Sequence, residues 1–299
     1  MTSYLICHQQ GKLDTIKQRL LNRLSSCTLC PRVCRVDRSQ QPMGFCRTGR
    51  HARVNSFFSH FEEEPELVGP GGSGTIFFSY CNLGCLYCQN YTLSHQGEGT
   101  EVDADKLAQM MLRLQEDGAE NINFVTPTHV IAQIIEALPL AIEKGLHIPL
   151  VYNCAGYESV EVIKELAGIF DLYMPDIKYC DDTLAVRYSQ APDYWSTVRA
   201  AVCEMHRQVG DLVIENGIAK AGLLIRHLVL PNGLAGSFAV LDFIRELSPQ
   251  SYVNIMDQYR PHYRAHEFPE LSRPASRDEY ARVVEYAKKI GLHRGFLTV

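Results

Sequence analysis

The sequence has no apolar segment long enough to cross a lipid bilayer. A transmembrane helix needs about 20 consecutive, mostly apolar residues, and no such run occurs among the 299 residues. Residues 1–10 also lack the charged region followed by an apolar region that begins a secretory signal. We therefore expect a cytoplasmic protein without a membrane partner.

The sequence also lacks an excess of basic residues. Its 29 Lys and Arg are dispersed among 34 Asp and Glu, which gives a net charge of -5. Proteins that bind nucleic acids through the phosphate backbone present a basic patch or stripe. Because none is visible here, we do not expect a nucleic acid partner.

Cysteine is the residue type that stands out. The chain has 11 cysteines, and cysteines clustered in a protein without a secretion signal are more often metal ligands than disulfide partners. Seven of them fall into two groups. The N-terminal cysteine group is Cys27, Cys30, Cys34 and Cys46, and the cysteine triplet is Cys81, Cys85 and Cys88. Two metal sites are the simplest interpretation.

The sequence divides after a Cys-rich beginning. We predict an extension over residues 1–68 and a core domain over 69–299, because the glycine-rich turn at 69–74 precedes a series of short apolar runs, each followed by an amphipathic stretch. The predicted strands lie at 75–79, 122–125, 149–152, 170–174, 223–230 and 252–256, and the predicted helices at 104–117, 130–145, 158–168, 182–209, 236–247 and 276–290.

Six such repeats predict an α/β fold. A parallel sheet with right-handed crossovers is expected, most simply curled into a partial (β/α)6 TIM-like barrel. In this architecture ligands bind at the carboxyl ends of the strands.

The cysteine triplet follows the first predicted strand with the spacing C-x3-C-x2-C. Three thiolates can bind three irons of a 4Fe-4S cluster and leave the fourth iron open to another ligand. The alternative is a zinc or structural iron–sulfur site that lacks one ligand, although structural metal sites are normally closed by four.

This motif, with Tyr87 before the third cysteine, resembles that of the radical SAM superfamily. Residues 69–299 look most similar to pyruvate formate-lyase activating enzyme and to uncharacterised relatives with an N-terminal cysteine cluster. The resemblance implies that the cluster cleaves S-adenosylmethionine (SAM) reductively to a 5'-deoxyadenosyl radical. It also implies a low-potential electron donor of the flavodoxin or ferredoxin type.

The resemblance places SAM contacts at successive strand ends. The activating enzymes carry Gly-Gly-Glu after the second strand, whereas this chain has Thr126, Thr128 and His129, which we expect to supply the polar contacts. His129 could instead be a packed residue at a helix start. Asn153 matches the position near the SAM carboxylate after the third strand.

Two further strand ends carry charged residues. Asp176 and Lys178 resemble the Asp-x-Lys pair of the activating enzymes, and a structural salt bridge is the alternative. Arg226 and His227 are adjacent in the fifth strand, so only one of them can face the barrel interior. We expect the inward one to meet a carboxylate of SAM or of the protein, because burying an unpaired charge is costly.

The N-terminal cysteine group has enough thiolates to close a zinc site or to hold an additional cluster. The sequence does not distinguish the two metals. The nearby segment from His60 to Glu64 is either a solvated acidic loop or an approach to the active site.

The leading functional hypothesis is an activating-enzyme-like oxidoreductase whose radical abstracts hydrogen from a protein or peptide. One alternative is radical modification of a small metabolite. A third, of another class, is an iron–sulfur electron carrier or a zinc-stabilised interaction module without turnover. The sequence names neither the substrate, the electron donor nor the oligomeric state.

Overall fold

The computed structural model describes residues 1–40 and 44–296, so the last three residues of the predicted core domain lie outside it. The strands are β1 Ala52–His60, β2 Ser73–Phe78, β3 Thr100–Val102, β4 Ile122–Val125, β5 Leu150–Cys154, β6 Leu172–Pro175, β7 Val213–Glu215, β8 Ile218–Leu228 and β9 Tyr252–Met256. The helices are α1 Ser3–Gln9, α2 Lys12–Asn22, α3 Pro65–Val68, α4 Tyr91–Ser94, α5 Ala104–Glu116, α6 Ile131–Glu143, α7 Val160–Glu165, α8 Asp182–Ser189, α9 Tyr194–Val209, α10 Ser237–Leu247 and α11 Arg277–Lys289.

The predicted partial barrel is confirmed. Strands β2, β4, β5, β6, β8 and β9 pair in parallel in that order, and helices follow them as crossovers. Strands β1 and β3 add an antiparallel edge next to β2. Among the described strands, β3 pairs only with β1 and β9 only with β8, so the sheet does not close.

One predicted helix is divided. The segment 182–209 forms α8 and α9, separated by a turn in which Gln190 and Asp193 have φ of 53° and 52°. Pro192 lies in this turn, where its missing N–H costs no helical hydrogen bond. The predicted capping box is present at the start of α11, where Ser276 and Glu279 exchange hydrogen bonds.

The two faces of the sheet differ because side chains alternate along each strand. We call the concave side the lumen face and the side covered by helices the helix face. On the helix face, Tyr152 is fully buried and its ring packs against Phe170 and Tyr173. The neighbouring Asn153 points to the lumen face, where it meets Arg226.

The N-terminal extension is attached to the barrel at several points. Its strand β1 is hydrogen-bonded along β2, so the sheet begins before residue 69. Helix α2 packs against α6. The loop that leaves β1 leads into α3, where Leu67 is buried with Val151 and Leu172. Since β1 runs antiparallel to β2, this loop enters the lumen from the end opposite to the carboxyl ends of the parallel strands.

Helices that could span a membrane were sought in residues 1–40 and 44–296. None there is both long and apolar enough.

Candidate functional site

The loop that carries the cysteine triplet leaves the carboxyl end of β2 and is held by backbone hydrogen bonds. The amides of Gly84 and Leu86 donate to the carbonyls of Ser189 (2.9 Å) and Tyr188 (2.8 Å), and the amide of Arg264 donates to the carbonyl of Leu86 (2.9 Å). The last residues of α8 and the segment after β9 therefore fix the loop from two sides.

Each thiol of the triplet has a polar neighbour. The Cys85 sulfur accepts a hydrogen bond from the Ser189 hydroxyl at 3.0 Å, the Cys81 sulfur accepts one from the Leu83 amide at 3.3 Å, and the Cys88 sulfur lies 3.1 Å from the Ser94 hydroxyl. Such donors stabilise thiolates, which are the form that binds iron.

Burial, in contrast, disfavours the thiolate forms of these cysteines. It raises the pKa of Cys81 and raises the pKa of Cys85 to about 11, although the nearby charge of Lys178 partly offsets the effect at Cys85. Neutral thiols buried beside a cation are a donor set that suits a metal cluster, because iron would displace their protons.

Tyr87 forms part of the wall behind the triplet. Its side chain is buried, its hydroxyl accepts a 2.6 Å hydrogen bond from Tyr179, and its ring packs edge-on against Tyr179 and Tyr259. The structure thus places the aromatic residue of the motif in a tyrosine cluster that supports the loop.

An ion-pair network lies on the lumen face at the strand ends. Asp176 accepts hydrogen bonds from Arg226 Nε at 2.8 Å and from Lys178 Nζ at 2.7 Å, and Arg226 Nη2 donates to Asn153 Oδ1 at 2.8 Å. Burial alone would raise the pKa of Asp176, but the two cations hold it below its ordinary value. Asp176 is therefore ionised and fixes both cationic groups.

The acidic segment of the extension enters the lumen. Glu63 accepts hydrogen bonds from Arg226 (3.2 Å) and from the side-chain amide of Asn123 (3.0 Å), while Glu64 accepts one from Asn254 at 2.7 Å. Burial raises the pKa of Glu64. Of the two interpretations of this segment, the approach to the predicted site is the one observed.

Arg226 is the member of the Arg226–His227 pair that faces the lumen. His227 lies on the helix face, where Nδ1 is 2.7 Å from the Ile177 carbonyl and Nε2 is 2.8 Å from the Ser237 hydroxyl. Burial lowers the pKa of His227 to about 4, so the ring is neutral. This placement corrects the expectation that His227 could serve as a cofactor contact.

The polar residues that follow β4 differ in their surroundings. Thr126 stands at the strand end with a positive φ of 61°, which is rare for a β-branched residue, and its amide donates to the Asn153 carbonyl at 2.8 Å. Thr128 and His129 are fully buried and bond to Glu158 (2.6 Å) and to the Ser79 carbonyl (2.9 Å). The hydroxyl of Thr128 and the ring of His129 are thus bonded to other protein groups, and their predicted contact with SAM stays a prediction.

Sequence reasoning missed Glu158. Its carboxyl is fully buried, accepts a hydrogen bond from the Tyr152 hydroxyl at 2.9 Å and binds Thr128 with its other oxygen. Burial raises the pKa of Glu158 to about 7. No pattern in the sequence separates this carboxylate from an exposed one, because its burial depends on how the loop after β5 packs against Tyr152 and against the turn after β4.

The N-terminal cysteine group forms a compact, knuckle-like turn. The amide of Cys27 donates to the Val36 carbonyl at 2.9 Å, and the amide of Arg35 donates back to the Cys27 carbonyl at 3.0 Å. Val33 and Arg35 have φ of 41° and 55°, a conformation that is strained for residues with a Cβ.

The thiols of this group lie close enough to influence one another. Burial raises the pKa of Cys30 and Cys34, and the neighbouring thiols of Cys27 and Cys46 raise both further. In the part of the chain that the structure describes, no three His, Cys, Asp or Glu side chains converge on a position for one metal ion. This finding holds for both cysteine groups.

A cavity of about 320 Å³ separates the extension from the triplet loop. Phe45 and Arg47 line it on one side, and Cys81, Gly84 and His95 line it on the other. A Cβ on Gly84 would lie 2.9 Å from the end of the Gln190 side chain and 3.3 Å from Phe45, so a larger residue here would displace Gln190.

Comparisons with known proteins agree with this arrangement. The family model described as "Radical SAM superfamily" matches residues 75–208. An uncharacterised protein of Methanocaldococcus jannaschii is 30% identical over 298 residues, covering 94% of this chain and 82% of that protein.

Two further proteins are similar over smaller parts. The pyruvate formate-lyase-activating enzyme of Clostridium pasteurianum is 33% identical over 129 residues, which cover 41% of this chain and 53% of that enzyme. The chain thus matches about half the length of this relative. The crystal structure of a radical SAM methyltransferase from Sphaerobacter thermophilus superposes with a TM-score of 0.50 at 17% identity, covering 75% of this chain and 66% of that one. That similarity shows the fold alone.

Proposed function

The chain belongs to the radical SAM superfamily, and from this premise we propose that it is an activating-enzyme-like oxidoreductase acting on a protein or peptide. Membership implies a 4Fe-4S cluster and SAM as cofactors. When bound, the cluster supplies the electron that cleaves SAM to methionine and a 5'-deoxyadenosyl radical. The finer proposals concern which residues hold these groups and what receives the radical.

We assign the cluster to the cysteine triplet. Its three sulfurs lie on one loop at the carboxyl end of β2, and hydrogen-bond donors and the charge of Lys178 favour their thiolate forms. Three ligands leave one iron free for the amino and carboxylate groups of SAM. The N-terminal cysteine group is assigned to a second metal site.

We assign SAM binding to the ion-pair network on the lumen face. Asp176, Lys178 and Arg226 form one fixed cluster with Asn153 at the strand ends beside the triplet. Counting Glu63 and Glu64, the five ionisable groups sum to one negative charge when all are ionised. SAM carries a sulfonium, an ammonium and a carboxylate, so its net charge of one positive complements this surface.

The open side of the barrel supports a macromolecular substrate. Phe58 lies on the lumen face of β1, its ring stacks on Phe77 at 5.5 Å, and 44% of its surface is exposed. The sheet is not closed between β3 and β9, so an extended peptide could reach the strand ends past these aromatic rings. The similarity to an activating enzyme favours the same substrate class.

The test uses protein reconstituted anaerobically with iron and sulfide, then given dithionite and SAM. We expect 5'-deoxyadenosine, and, when purified pyruvate formate-lyase is added as the probe, a glycyl radical signal by electron paramagnetic resonance (EPR). An electron donor of the flavodoxin or ferredoxin type should replace dithionite. If 5'-deoxyadenosine forms but no glycyl radical appears on the probe and no residue of it is modified by mass spectrometry, the activating role on this protein class is overturned.

A further inference from the structure

We infer that the N-terminal cysteine group holds a second iron–sulfur cluster, placed against the triplet loop with the Arg32 guanidinium between the two cysteine groups. This inference rests on the proposed function of the triplet. It names the metal that the sequence left open and assigns Arg32, which sequence reasoning did not select, a role as a positioning residue.

Arg32 contacts both cysteine groups through their chain neighbours. Its Nε donates to the carbonyl of Asn82, next to Cys81, at 3.0 Å. Its guanidinium lies 3.7 Å from the ring centroid of Phe45, next to Cys46. A single residue therefore spans the boundary between the two groups.

A buried donor of Arg32 lies beside the two cysteine groups. Within the described residues, its Nη2 atom is buried and has no hydrogen-bond acceptor. A buried guanidinium with a free donor beside two sets of thiols suits anionic metal clusters, which it would stabilise electrostatically.

In the part of the chain that the structure describes, the four cysteines do not form a ready-made site for a single ion. Zinc requires four sulfurs at about 2.3 Å from one point. The four cysteines are near neighbours, yet within residues 1–40 and 44–296 no three metal-binding side chains share such a point. The triplet shows the same arrangement. In a cubane each thiolate binds a different iron, so the sulfurs need not converge.

A small residue makes room beside one of the sulfurs. A Cβ at Gly44 would lie 3.0 Å from the Cys34 sulfur, tighter than an ordinary contact. Cys27, Cys30 and Cys46 are buried, so little water would reach a bound cluster.

The extension is attached to the barrel by contacts outside the cysteine group. Arg23 pairs with Glu165 of α7 at 2.5 Å, Arg50 pairs with Glu136 of α6, and Arg38 donates to the His129 carbonyl at 2.7 Å. Together with the packing of α2 on α6, these contacts fix the extension on the barrel.

A cluster held by Cys27, Cys30, Cys34 and Cys46 would supply a one-electron carrier beside the triplet loop. It would give one electron to the cluster proposed at the triplet and would regain one from a donor of the flavodoxin or ferredoxin type. No proton or bond is transferred in this step.

The first test is the metal content of the triple variant Cys81→Ala, Cys85→Ala, Cys88→Ala, which keeps the N-terminal cysteine group. After anaerobic reconstitution with iron and sulfide, we expect about four irons and four sulfides per chain and an EPR signal on reduction. Adding Cys30→Ala should abolish both, whereas adding Cys203→Ala, an exposed cysteine outside either group, should change neither. One zinc without iron, or no metal at all, in the triple variant would overturn the inference.

The second test compares Arg32→Gln with Arg32→Lys in the same triple variant. Removing a buried cation disfavours the more negative, reduced cluster, so Arg32→Gln should shift the midpoint potential to more negative values, and Arg32→Lys should shift it less. Equal potentials in all three proteins would contradict the placement of Arg32. Neither test measures SAM cleavage, so a failure here is distinct from a failure of the proposed function.

Discussion

The lumen face and the helix face of the same strands bury polar groups in opposite ways. On the lumen face, Asp176 and Arg226 are charged and pair with each other. On the helix face, His227 is neutral because burial lowers its pKa to about 4. The charged groups lie on the face where the charged ligand SAM is expected. The neutral polar groups lie on the face that packs against the helices.

The comparison teaches that burial alone does not identify a functional residue. Arg226 and His227 are adjacent and both deeply placed, yet one belongs to a network at the strand ends and the other fixes α10 to the sheet through Ser237. Substitutions on the lumen face should therefore change SAM chemistry, and substitutions on the helix face should change the free energy of unfolding.

We expect the largest difference in activity between two cysteine substitutions, one in the triplet and one on the helix face. Cys85→Ala should lower the rate of 5'-deoxyadenosine formation at least ~1,000-fold, about 4 kcal/mol in barrier, because the cluster loses a ligand. Cys154→Ala removes a buried thiol from β5 on the helix face and should keep that rate within about twofold. Product and iron per chain measure both. Equal rates in the two variants would remove the triplet from the mechanism.

Glu158 tests the helix face through pH. Its pKa is raised from 4.5 to about 7 by burial, so it contributes stability that is complete below pH 4.5 and is lost as the pH rises through 7. The shift corresponds to about 3 kcal/mol. The free energy of unfolding of the wild type, measured relative to Glu158→Gln, should therefore fall by about that amount between pH 4.5 and 8.5. Parallel pH profiles for the two proteins would show that Glu158 is not buried as a carboxylic acid.

Arg226 tests the lumen face by ligand affinity. Arg226→Gln should weaken SAM binding by tenfold to a hundredfold, about 1.5–3 kcal/mol for hydrogen bonds to a charged group, as measured by calorimetry on the reconstituted protein. Because the variant leaves Glu63 unpaired, Glu63→Gln with Arg226→Gln restores the charge balance and should bind SAM as weakly as Arg226→Gln alone. Wild-type affinity in the double variant would assign Arg226 to structure only.

His227 provides the smallest expected effect. His227→Phe leaves the Ile177 carbonyl and the Ser237 hydroxyl without their partner, which should lower the free energy of unfolding by about 1–3 kcal/mol. SAM affinity should stay within about twofold, since the ring lies across the sheet from the network. A loss of affinity comparable to that of Arg226→Gln would contradict the separation of the two faces.

The repeat pattern was sufficient for the fold. Each of the six apolar runs became a parallel strand, because short β-branched and aromatic segments followed by amphipathic stretches have few other ways to bury their surface. The break between α8 and α9 was not predicted. It depends on left-handed backbone at Gln190 and Asp193, a conformation that neither residue type requires.

The sequence predicted the site only where the spacing of residues along the chain indicates the chemistry. The cysteine triplet lies on one loop, so the three residues proposed as cluster ligands are local in sequence. The role of Arg32 was not visible, because its contacts with Asn82 and Phe45 depend on how the extension packs against the loop.

The sequence by itself determined the six parallel strands, most of the helices that follow them and the two cysteine groups, since each depends on neighbours a few residues apart. Only the tertiary structure decided that Arg226 faces the lumen, that His227 does not, and that Glu63 reaches Arg226 from the extension. These outcomes depend on strand register and on contacts between distant segments. Side chains alternate between the two faces of a strand, but the local sequence does not show which face is which.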